Sequence, residues 1–282
     1  IYTRIKSLNG EIVILMKTRL VVVIPAKNEE KSIGRTLKFL VSQTLQPDEI
    51  IVINDGSTDK TKDIAEKFGC TVIDIVRKEF VATGTPILAA ILNVGLRKAR
   101  KLKPDYVAIV GADHLLPKHY FETIVTRMDE DEKIAIASGI IKGEKTRSFA
   151  PRGSGRIVRG SWWNRYKMQY PTIYGWETWL IYRALKDGYK VKVYKDLVTY
   201  TTRGTSFNPR KLYYYGKGMR ALNYSLLYVL GRALLASKQN PLNGLMLLKG
   251  YFSKVEEAED IKDFMKKAIK AQIREIIKEI IP

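Results

Sequence analysis

Two short apolar runs, each followed at once by a polar turn, constrain the fold of this chain most strongly. Residues 20–24 are Leu, Val and Ile without interruption, and residues 50–53 repeat the pattern. Such runs are typical of strands buried on both faces of a parallel sheet. Each is followed by an acid, Glu29 after the first and Asp55 after the second. Because open α/β sheets bind ligands at the carboxyl ends of their strands, the two turns predict a nucleoside pocket.

Strand and helix patterns alternate through the first half, which indicates a parallel sheet built from β-α-β units. Further strands are predicted at Thr71–Val76, Tyr106–Val110 and Ile134–Ala137, and a helix at Pro86–Lys101. Ser57 or Thr58 is expected to cap the helix after the second strand, and Gly69 to end it.

The second half is less regular. Residues 141–175 are rich in Gly, Arg and aromatic residues and predict a substrate loop region rather than a linker. A helix is expected near Glu177–Lys186, then a strand at Lys190–Tyr194, and helices from Leu212 onward. An apolar stripe at helical spacing from Ile261 to Ile280 predicts docking or a homodimer through the C-terminal helices.

The net charge of +20 is concentrated in one part of the chain. Residues 141–254 carry 22 basic and 4 acidic side chains, whereas residues 1–140 carry 21 and 18. The basic segment therefore faces an anion, and a nucleic acid, an anionic lipid or a phosphorylated substrate all satisfy it. An ordinary solvated surface is the alternative, but it does not explain why the excess is confined to one segment.

The single cysteine, Cys70, excludes a disulfide framework, and with only two histidines a zinc site is not expected. The sequence shows no signal peptide and no uncharged run of about 18 apolar residues, so it predicts a cytoplasmic protein. The excess of Lys, Glu and Ile favours a thermophilic origin. The chain begins at Ile1, which puts the native start either upstream or at Met16.

Several motifs occur in a fixed order along residues 19–200. They are Pro25-Ala26-Lys27-Asn28-Glu29, Asn54–Asp59, Asn93-x-Gly95, Gly111-Ala112-Asp113-His114, and Tyr174–Arg183 followed by Gly188-Tyr189. This order resembles family 2 glycosyltransferases of the GT-A fold, which move a sugar from a nucleotide-sugar donor with inversion of configuration.

The resemblance implies an α/β fold of GT-A type. A mostly parallel sheet flanked by helices, with a Rossmann-like nucleotide-binding half, is expected together with a helical C-terminal extension. The catalytic domain is expected at 16–205, with its nucleotide-binding half at about 16–140 and its acceptor half at about 141–205. The extension covers 206–282.

The same resemblance implies a set of donor-binding residues. The expected nucleotide-binding residues are Pro25, Ala26, Lys27, Glu29, Asp55 and Ala112. Asp55 would accept a hydrogen bond from an N–H of the base, which suits a carboxylate. The alternative is that Asp55 and Asp59 merely form a turn and a helix cap. The arginine that the family often has before Asn93 is Leu92 here.

The expected metal site departs from the family pattern. Asp113 and His114 are the expected ligands of Mg²⁺ or Mn²⁺, but the first carboxylate of the family's Asp-x-Asp is Gly111. Members often carry a further histidine near the position of Arg203, where this chain has none. Either a metal is weakly held, or Arg203 neutralises the leaving diphosphate directly.

Glu177 falls on the position of the family's general base, at the start of a predicted helix. A glutamate that merely begins a helix would show the same sequence pattern. Trp162, Trp163 and Trp176 are expected to contact the acceptor, a glycan or a lipid-linked acceptor, with core packing as the alternative. The mixture of Tyr, Leu and Arg over residues 213–248 predicts peripheral contact with an anionic membrane, or else buried helices or a dimer interface.

Two other functions fit parts of the sequence. A nucleic-acid-binding protein would use the basic residues 141–254 and their aromatics, although no nucleic-acid partner is expected from the motifs. A catalytically weak or inactive donor-binding member would explain Gly111 and the missing histidine.

Overall fold

A computed structural model gives the fold. It describes residues 18–76, 83–144, 150–204, 208–238 and 240–268, the backbone of 4–8 and 11–15, and the single positions 273 and 277.

Within these ranges the secondary structure alternates as the sequence predicts. The elements are β1 (Arg4–Leu8), β2 (Glu11–Leu15), β3 (Leu20–Ala26), α1 (Ile33–Val41), β4 (Glu49–Asn54), α2 (Thr61–Lys67), β5 (Thr71–Asp74), α3 (Pro86–Lys101), β6 (Tyr106–Ile109), β7 (His114–Leu115), α4 (Tyr120–Glu130), β8 (Ile134–Ile141), β9 (Arg156–Arg159), α5 (Gly160–Trp163), α6 (Trp176–Lys186), β10 (Lys190–Thr201), α7 (Pro209–Ala221), α8 (Leu226–Ser237), α9 (Pro241–Tyr251) and α10 (Lys262–Lys267), with 3-10 turns at Asn164–Tyr166 and Glu259–Ile261.

The main sheet has the order β5-β4-β3-β6-β9-β8-β10-β7. Strands β3, β4, β5 and β6 are parallel neighbours, as are β8 and β10. Strand β9 runs antiparallel between β6 and β8, and β7 runs antiparallel to β10. The expected α/β architecture, a mostly parallel sheet flanked by helices, is confirmed. Strands β1 and β2 form a separate antiparallel pair.

Helix α3 begins and ends where the sequence predicts, with Pro86 in its first turn. Gly95 lets this helix lie close against the sheet, because a Cβ there would come within 2.7 Å of Ile53 and 2.9 Å of Val23. Gly69 follows α2 with a φ of +74°, which confirms its expected role. The cap predicted at Ser57 or Thr58 is wrong, since α2 starts at Thr61 without a side-chain cap.

The segment predicted as a loop region contains an unexpected strand, β9, and the short helix α5. Trp162 and Trp163 are the last two residues of α5 and have no solvent exposure, and Trp176 is also buried. Their rings fill the main core, and Trp176 Nε1 donates to the Thr85 carbonyl at 3.1 Å. The prediction that these three tryptophans contact the acceptor is therefore wrong, and core packing explains them.

Helices α7, α8 and α9 form a third, smaller core, so the expected helical extension is confirmed. No helix among the described residues combines the length and the apolar character needed to cross a bilayer. The predicted stripe begins with Ile261 and Met265, which pack into the main core. Beyond Ala268 it lies outside the described residues, apart from positions 273 and 277.

Candidate active site

The turns after β3 and β4 are joined by a network of hydrogen bonds. Asn28 adopts a φ of +54°, a left-handed conformation that asparagine tolerates. Its N–H donates to Ser57 Oγ at 3.0 Å, and its Oδ1 accepts from the Thr58 N–H at 2.9 Å. Ser57 and Thr58 therefore bridge two turns instead of capping a helix. This bridge fixes the two acid-bearing turns side by side at the carboxyl edge of the sheet.

Asp59 and Thr61 reinforce the same bridge. The Glu29 N–H donates to Thr61 Oγ1 at 2.7 Å, and the Glu30 N–H donates to Asp59 Oδ2 at 3.0 Å. Asp59 also accepts from the Thr61 N–H at 3.0 Å. Asp59 therefore has the turn-forming role that was the alternative prediction, because its carboxylate accepts hydrogen bonds from both loops.

Asp55 lies at the end of β4 and is buried. Its N–H donates to the Ala26 carbonyl at 2.8 Å, and its own carbonyl accepts from Lys27 Nζ at 3.1 Å. The structure therefore brings Ala26, Lys27 and Asp55 together, as the predicted nucleotide pocket requires. Ala112 lies in the turn after β6, where its carbonyl accepts a hydrogen bond from the Thr36 hydroxyl at 2.9 Å.

Arg203 joins two of the predicted site carboxylates. Its guanidinium pairs with Glu29 Oε1, and its Nε donates to Asp113 Oδ2 at 3.1 Å. The chain around it is held to the site by the Thr202 N–H, which donates to the Asp113 carbonyl at 3.0 Å. Arg203 follows β10, Glu29 follows β3 and Asp113 follows β6, so three distant segments meet here. The arginine side chain is 62% exposed and can be reached by a ligand.

Ser154 occupies the space beside Gly111. Its Oγ accepts from the Gly111 N–H at 2.7 Å. A Cβ at position 111 would lie 3.1 Å from Asp113 Oδ1 and 3.2 Å from Ser154 Oγ, both tighter than ordinary contacts. Ser154, which comes from a loop more than forty residues later in the chain, therefore lies beside the position of the motif's missing first carboxylate.

His114 is buried and both of its ring nitrogens are engaged. Nδ1 lies 2.5 Å from Ser154 Oγ and Nε2 lies 2.7 Å from Thr199 Oγ1. The Thr199 hydroxyl donates to the Ile140 carbonyl at 2.9 Å, so it accepts from an Nε2–H. Nδ1 then accepts the Ser154 hydroxyl proton. This network holds the neutral imidazole.

The predicted metal site does not fit these residues. His114 has no nitrogen left to bind an ion, so its assignment as a metal ligand is wrong. Asp113 is paired with Arg203, and the described part of the chain contains no cluster of three or more His, Cys, Asp or Glu side chains that could hold a metal. Asp113 is thus the one expected metal ligand that remains, and a divalent ion here would have to take its other donors from water and the donor diphosphate.

Burial lowers the pKa of His114 to about 4, against an ordinary value of 6.5. The unfolded residue takes up a proton near pH 6.5, whereas the folded residue stays neutral down to about pH 4. The contribution of His114 to stability is therefore complete above pH 6.5 and lost as pH falls toward 4, by about 3 kcal/mol. Urea unfolding of His114→Gln should show a smaller loss of unfolding free energy between pH 7.5 and 4.5 than the unchanged protein shows.

His119 provides the matched control, because it is the other histidine and its side chain is exposed. His119→Gln should keep the pH slope of the unchanged protein. An unaltered slope in His114→Gln would contradict the buried neutral assignment.

Glu177 is brought to the same edge by α6. Gly175, with a φ of +78°, starts this helix and packs against Leu222, so the turn before Glu177 is fixed. The glutamate is exposed, and its Oε1 lies over Gly153, where any Cβ would overlap it. Gly153 precedes Ser154, which contacts Gly111 and His114. The chain segment 153–154 therefore lies between Glu177 and the Asp113 side of the site.

Two arginines next to Glu177 were missed by the sequence predictions. Arg156 is buried and donates to the carbonyls of Pro151, Arg152 and Glu177 at 2.8, 3.2 and 3.2 Å. Arg152 pairs with Glu144. Burial lowers the pKa of the Arg152 guanidinium, and the nearby Glu177 carboxylate opposes that shift. The run Gly153-Ser154-Gly155 is the one sequence signal that marks this close-packed loop.

Comparison with known proteins identifies the family and the fold of the chain. A family model described as glycosyl transferase family 2 matches residues 21–198, more than half of the chain. The 4,4'-diaponeurosporenoate glycosyltransferase of Staphylococcus aureus strain USA300 is 41% identical over 76 residues, which are 27% of this chain and 20% of that protein. The chain thus spans about a fifth of the length of the curated relatives it matches.

Solved structures share the fold at low identity. The mannosyltransferase PcManGT from Pyrobaculum calidifontis, in complex with GDP-Man and Mn²⁺, has a TM-score of 0.57 at 14% identity, covering 94% of this chain and 87% of that one. Staphylococcus aureus TarS in complex with UDP-GlcNAc has a TM-score of 0.52 at 17% identity, covering 92% and 82%. These likenesses show a GT-A-like fold.

Proposed function

The chain belongs to glycosyl transferase family 2, and we propose that it transfers a sugar from a UDP- or GDP-sugar to an acceptor hydroxyl or lipid phosphate, with inversion. The observation that carries this proposal is the convergence of Glu29, Asp113 and Arg203, with Glu177 adjacent across the 153–154 segment. These residues come from four distant segments and meet at the carboxyl edge of the parallel strands, where such sheets bind ligands.

The donor pocket uses the turns after β3 and β4. Asp55 accepts a hydrogen bond from the base, and Pro25, Ala26 and Ala112 line it through the backbone. Lys27 and Glu29 add polar contacts. The supporting observation is the Lys27 contact with the Asp55 carbonyl and the hydrogen-bonded bridge between the two turns.

The transfer is a single displacement. Glu177 takes the acceptor proton while the acceptor oxygen forms a bond to the anomeric carbon. The bond from that carbon to the diphosphate oxygen breaks, and the nucleoside diphosphate leaves with the bonding electrons. Arg203 stabilises the charge that develops on it, because a guanidinium binds two phosphate oxygens at once.

The structure favours Arg203 over a metal ion for this role. PcManGT is a relative whose structure was solved with Mn²⁺, but in this chain His114 is committed to a buried network and Gly111 replaces a carboxylate. Arg203 already contacts the carboxylate that would otherwise bind the ion.

Donor binding gives the first test. Calorimetry and thermal shift with UDP- and GDP-sugars should show binding, with a stabilisation that grows with ligand concentration. Asp55→Asn should weaken it about tenfold or more, because a hydrogen bond to a charged group contributes about 1.5–3 kcal/mol.

Asp63→Asn is the matched control, an exposed carboxylate on the neighbouring helix α2. It should bind the donor as the unchanged protein does. Tight, salt-sensitive binding of an oligonucleotide together with no response to any nucleotide-sugar would contradict the proposal.

A further inference from the structure

We propose that helices α8 and α9 form a docking surface for an anionic lipid bilayer. The inference deepens the proposed function, on which it rests only for its link to a membrane-bound acceptor. Thirteen large apolar side chains are exposed among the described residues, and seven of them lie between residues 226 and 252. These seven are Leu226, Leu227, Leu230, Leu234, Leu242, Leu245 and Phe252.

The exposed side chains lie on defined helix faces. Leu226, Leu230 and Leu234 recur every four residues on α8, and Leu242 and Leu245 are three apart on α9. The three most exposed leucines are Leu227, Leu234 and Leu245, at 61, 69 and 63%.

The inner faces of the same helices are closely packed. A Cβ on Gly244 would overlap Ser237 of α8, and one on Gly216 of α7 would overlap the Leu247 carbonyl of α9. Tyr228, Val229 and Ala233 are buried on the inner side of α8. The outward leucines are therefore a surface of a well-packed unit.

The charge of this region selects an anionic partner. Residues 208–254 contain eight basic side chains and no acidic one. Lys238 and Lys254 follow the ends of α8 and α9, and Lys249 lies on α9 between the two apolar ends of its exposed face; all three are exposed. Apolar side chains flanked by cations are typical of helices that lie in the interface of an anionic bilayer.

A second copy is a poorer occupant of this surface. A symmetric dimer through the same face would bring the exposed Lys238, Lys249 and Lys254 of two copies together, and like-charge contact is unfavourable. The helices also cannot span a bilayer, because 12 residues extend about 18 Å whereas a hydrocarbon core is about 30 Å thick. They fit a position along the membrane surface.

The docking surface is physically connected to the proposed base. Helix α7 packs against α9 on one side, and on the other its Tyr214 stacks on Tyr174 with ring centroids 6.0 Å apart. The next residue, Gly175, packs against Leu222 and starts the helix that carries Glu177. The docking surface and the turn that precedes Glu177 are therefore joined through one packed helix, α7.

The experiment is co-sedimentation of the 282-residue chain with vesicles. The unchanged protein should bind vesicles of phosphatidylcholine with phosphatidylglycerol, bind phosphatidylcholine alone much more weakly, and lose affinity as salt rises. The triple variant Leu227→Asn, Leu234→Asn, Leu245→Asn should bind at least about tenfold more weakly. The double variant Lys238→Gln, Lys249→Gln should weaken binding by about 25-fold, since each cation near an anionic surface contributes about fivefold.

Val41→Asn with Val76→Asn is the matched control, because both valines are exposed and lie outside the docking surface. It should leave vesicle binding unchanged. Sedimentation needs no turnover, so its outcome is independent of whether sugar transfer is detected. Equal binding by the triple variant and the control would overturn the proposal, as would a protein that stays in solution with anionic vesicles. A dimer that the triple variant dissociates would assign the surface to a second copy instead.

Discussion

Glu177→Gln is expected to lower the turnover number for sugar transfer by about three orders of magnitude while the dissociation constant of the donor stays unchanged. The substitution keeps the size of the side chain and removes its ability to accept the acceptor proton, and general-base catalysis contributes 10²–10⁴-fold. Glu177 is exposed at the start of α6, so the variant should fold normally. Release of UDP or GDP measures turnover, and calorimetry measures donor binding.

Glu144→Gln is the informative control. Residues 141–254 contain four acids, and three of them have assigned partners in the structure. Asp187 accepts from Arg183 and Trp162, Asp196 pairs with Arg127, and Glu144 pairs with Arg152. Glu144 pairs with Arg152, the arginine whose pKa the Glu177 carboxylate also affects. We nevertheless expect Glu144 to be dispensable for proton transfer. Full activity in Glu177→Gln, or a larger loss in Glu144→Gln, would remove Glu177 from the mechanism.

The fold could be predicted where local pattern decides the structure. The apolar run before Pro25 is uninterrupted, the helix at Pro86–Lys101 has a clear helical periodicity, and the structure places both as expected. The loops around Glu29, Asp55 and Asp113 could be placed together because the carboxyl ends of neighbouring parallel strands share one edge. Arg203 reaches these loops because it follows β10, which is a strand of the same sheet.

Other features depend on contacts that no local pattern encodes. Strand β9 is defined by its antiparallel pairing with β6 and β8, between which it lies in the sheet. Ser154 contacts Gly111 and His114 across forty residues of chain, and that contact decides that the histidine is structural. The three tryptophans could not be assigned from sequence either, because an aromatic ring that could stack on a sugar can equally pack in the core.

Arg203→Gln is expected to lower turnover by about two to three orders of magnitude. The guanidinium contacts Glu29 and Asp113 at the mouth of the donor site, where the leaving diphosphate would accumulate charge. Removing one such contact from a transition state typically costs about 2.7–4 kcal/mol. Arg203→Lys should recover part of the loss, because an ammonium keeps the charge but not the two-point contact.

Arg210→Gln is the matched control, because Arg210 is an exposed arginine of the same basic segment that lies over the Tyr214 ring. It should leave turnover within about twofold, since substitutions of surface charges usually have small effects. A chelator separates the two sources of positive charge. If Arg203 neutralises the diphosphate, the unchanged protein should keep its turnover after treatment with the chelator, and Arg203→Gln should not be rescued by added Mn²⁺. Turnover that vanishes with chelator and survives Arg203→Gln would show that a metal ion carries the leaving group, with ligands drawn from the donor and Asp113. The burial of His114 and the space that Ser154 takes beside Gly111 argue for the first result, because together they leave Asp113 without a protein partner for the ion.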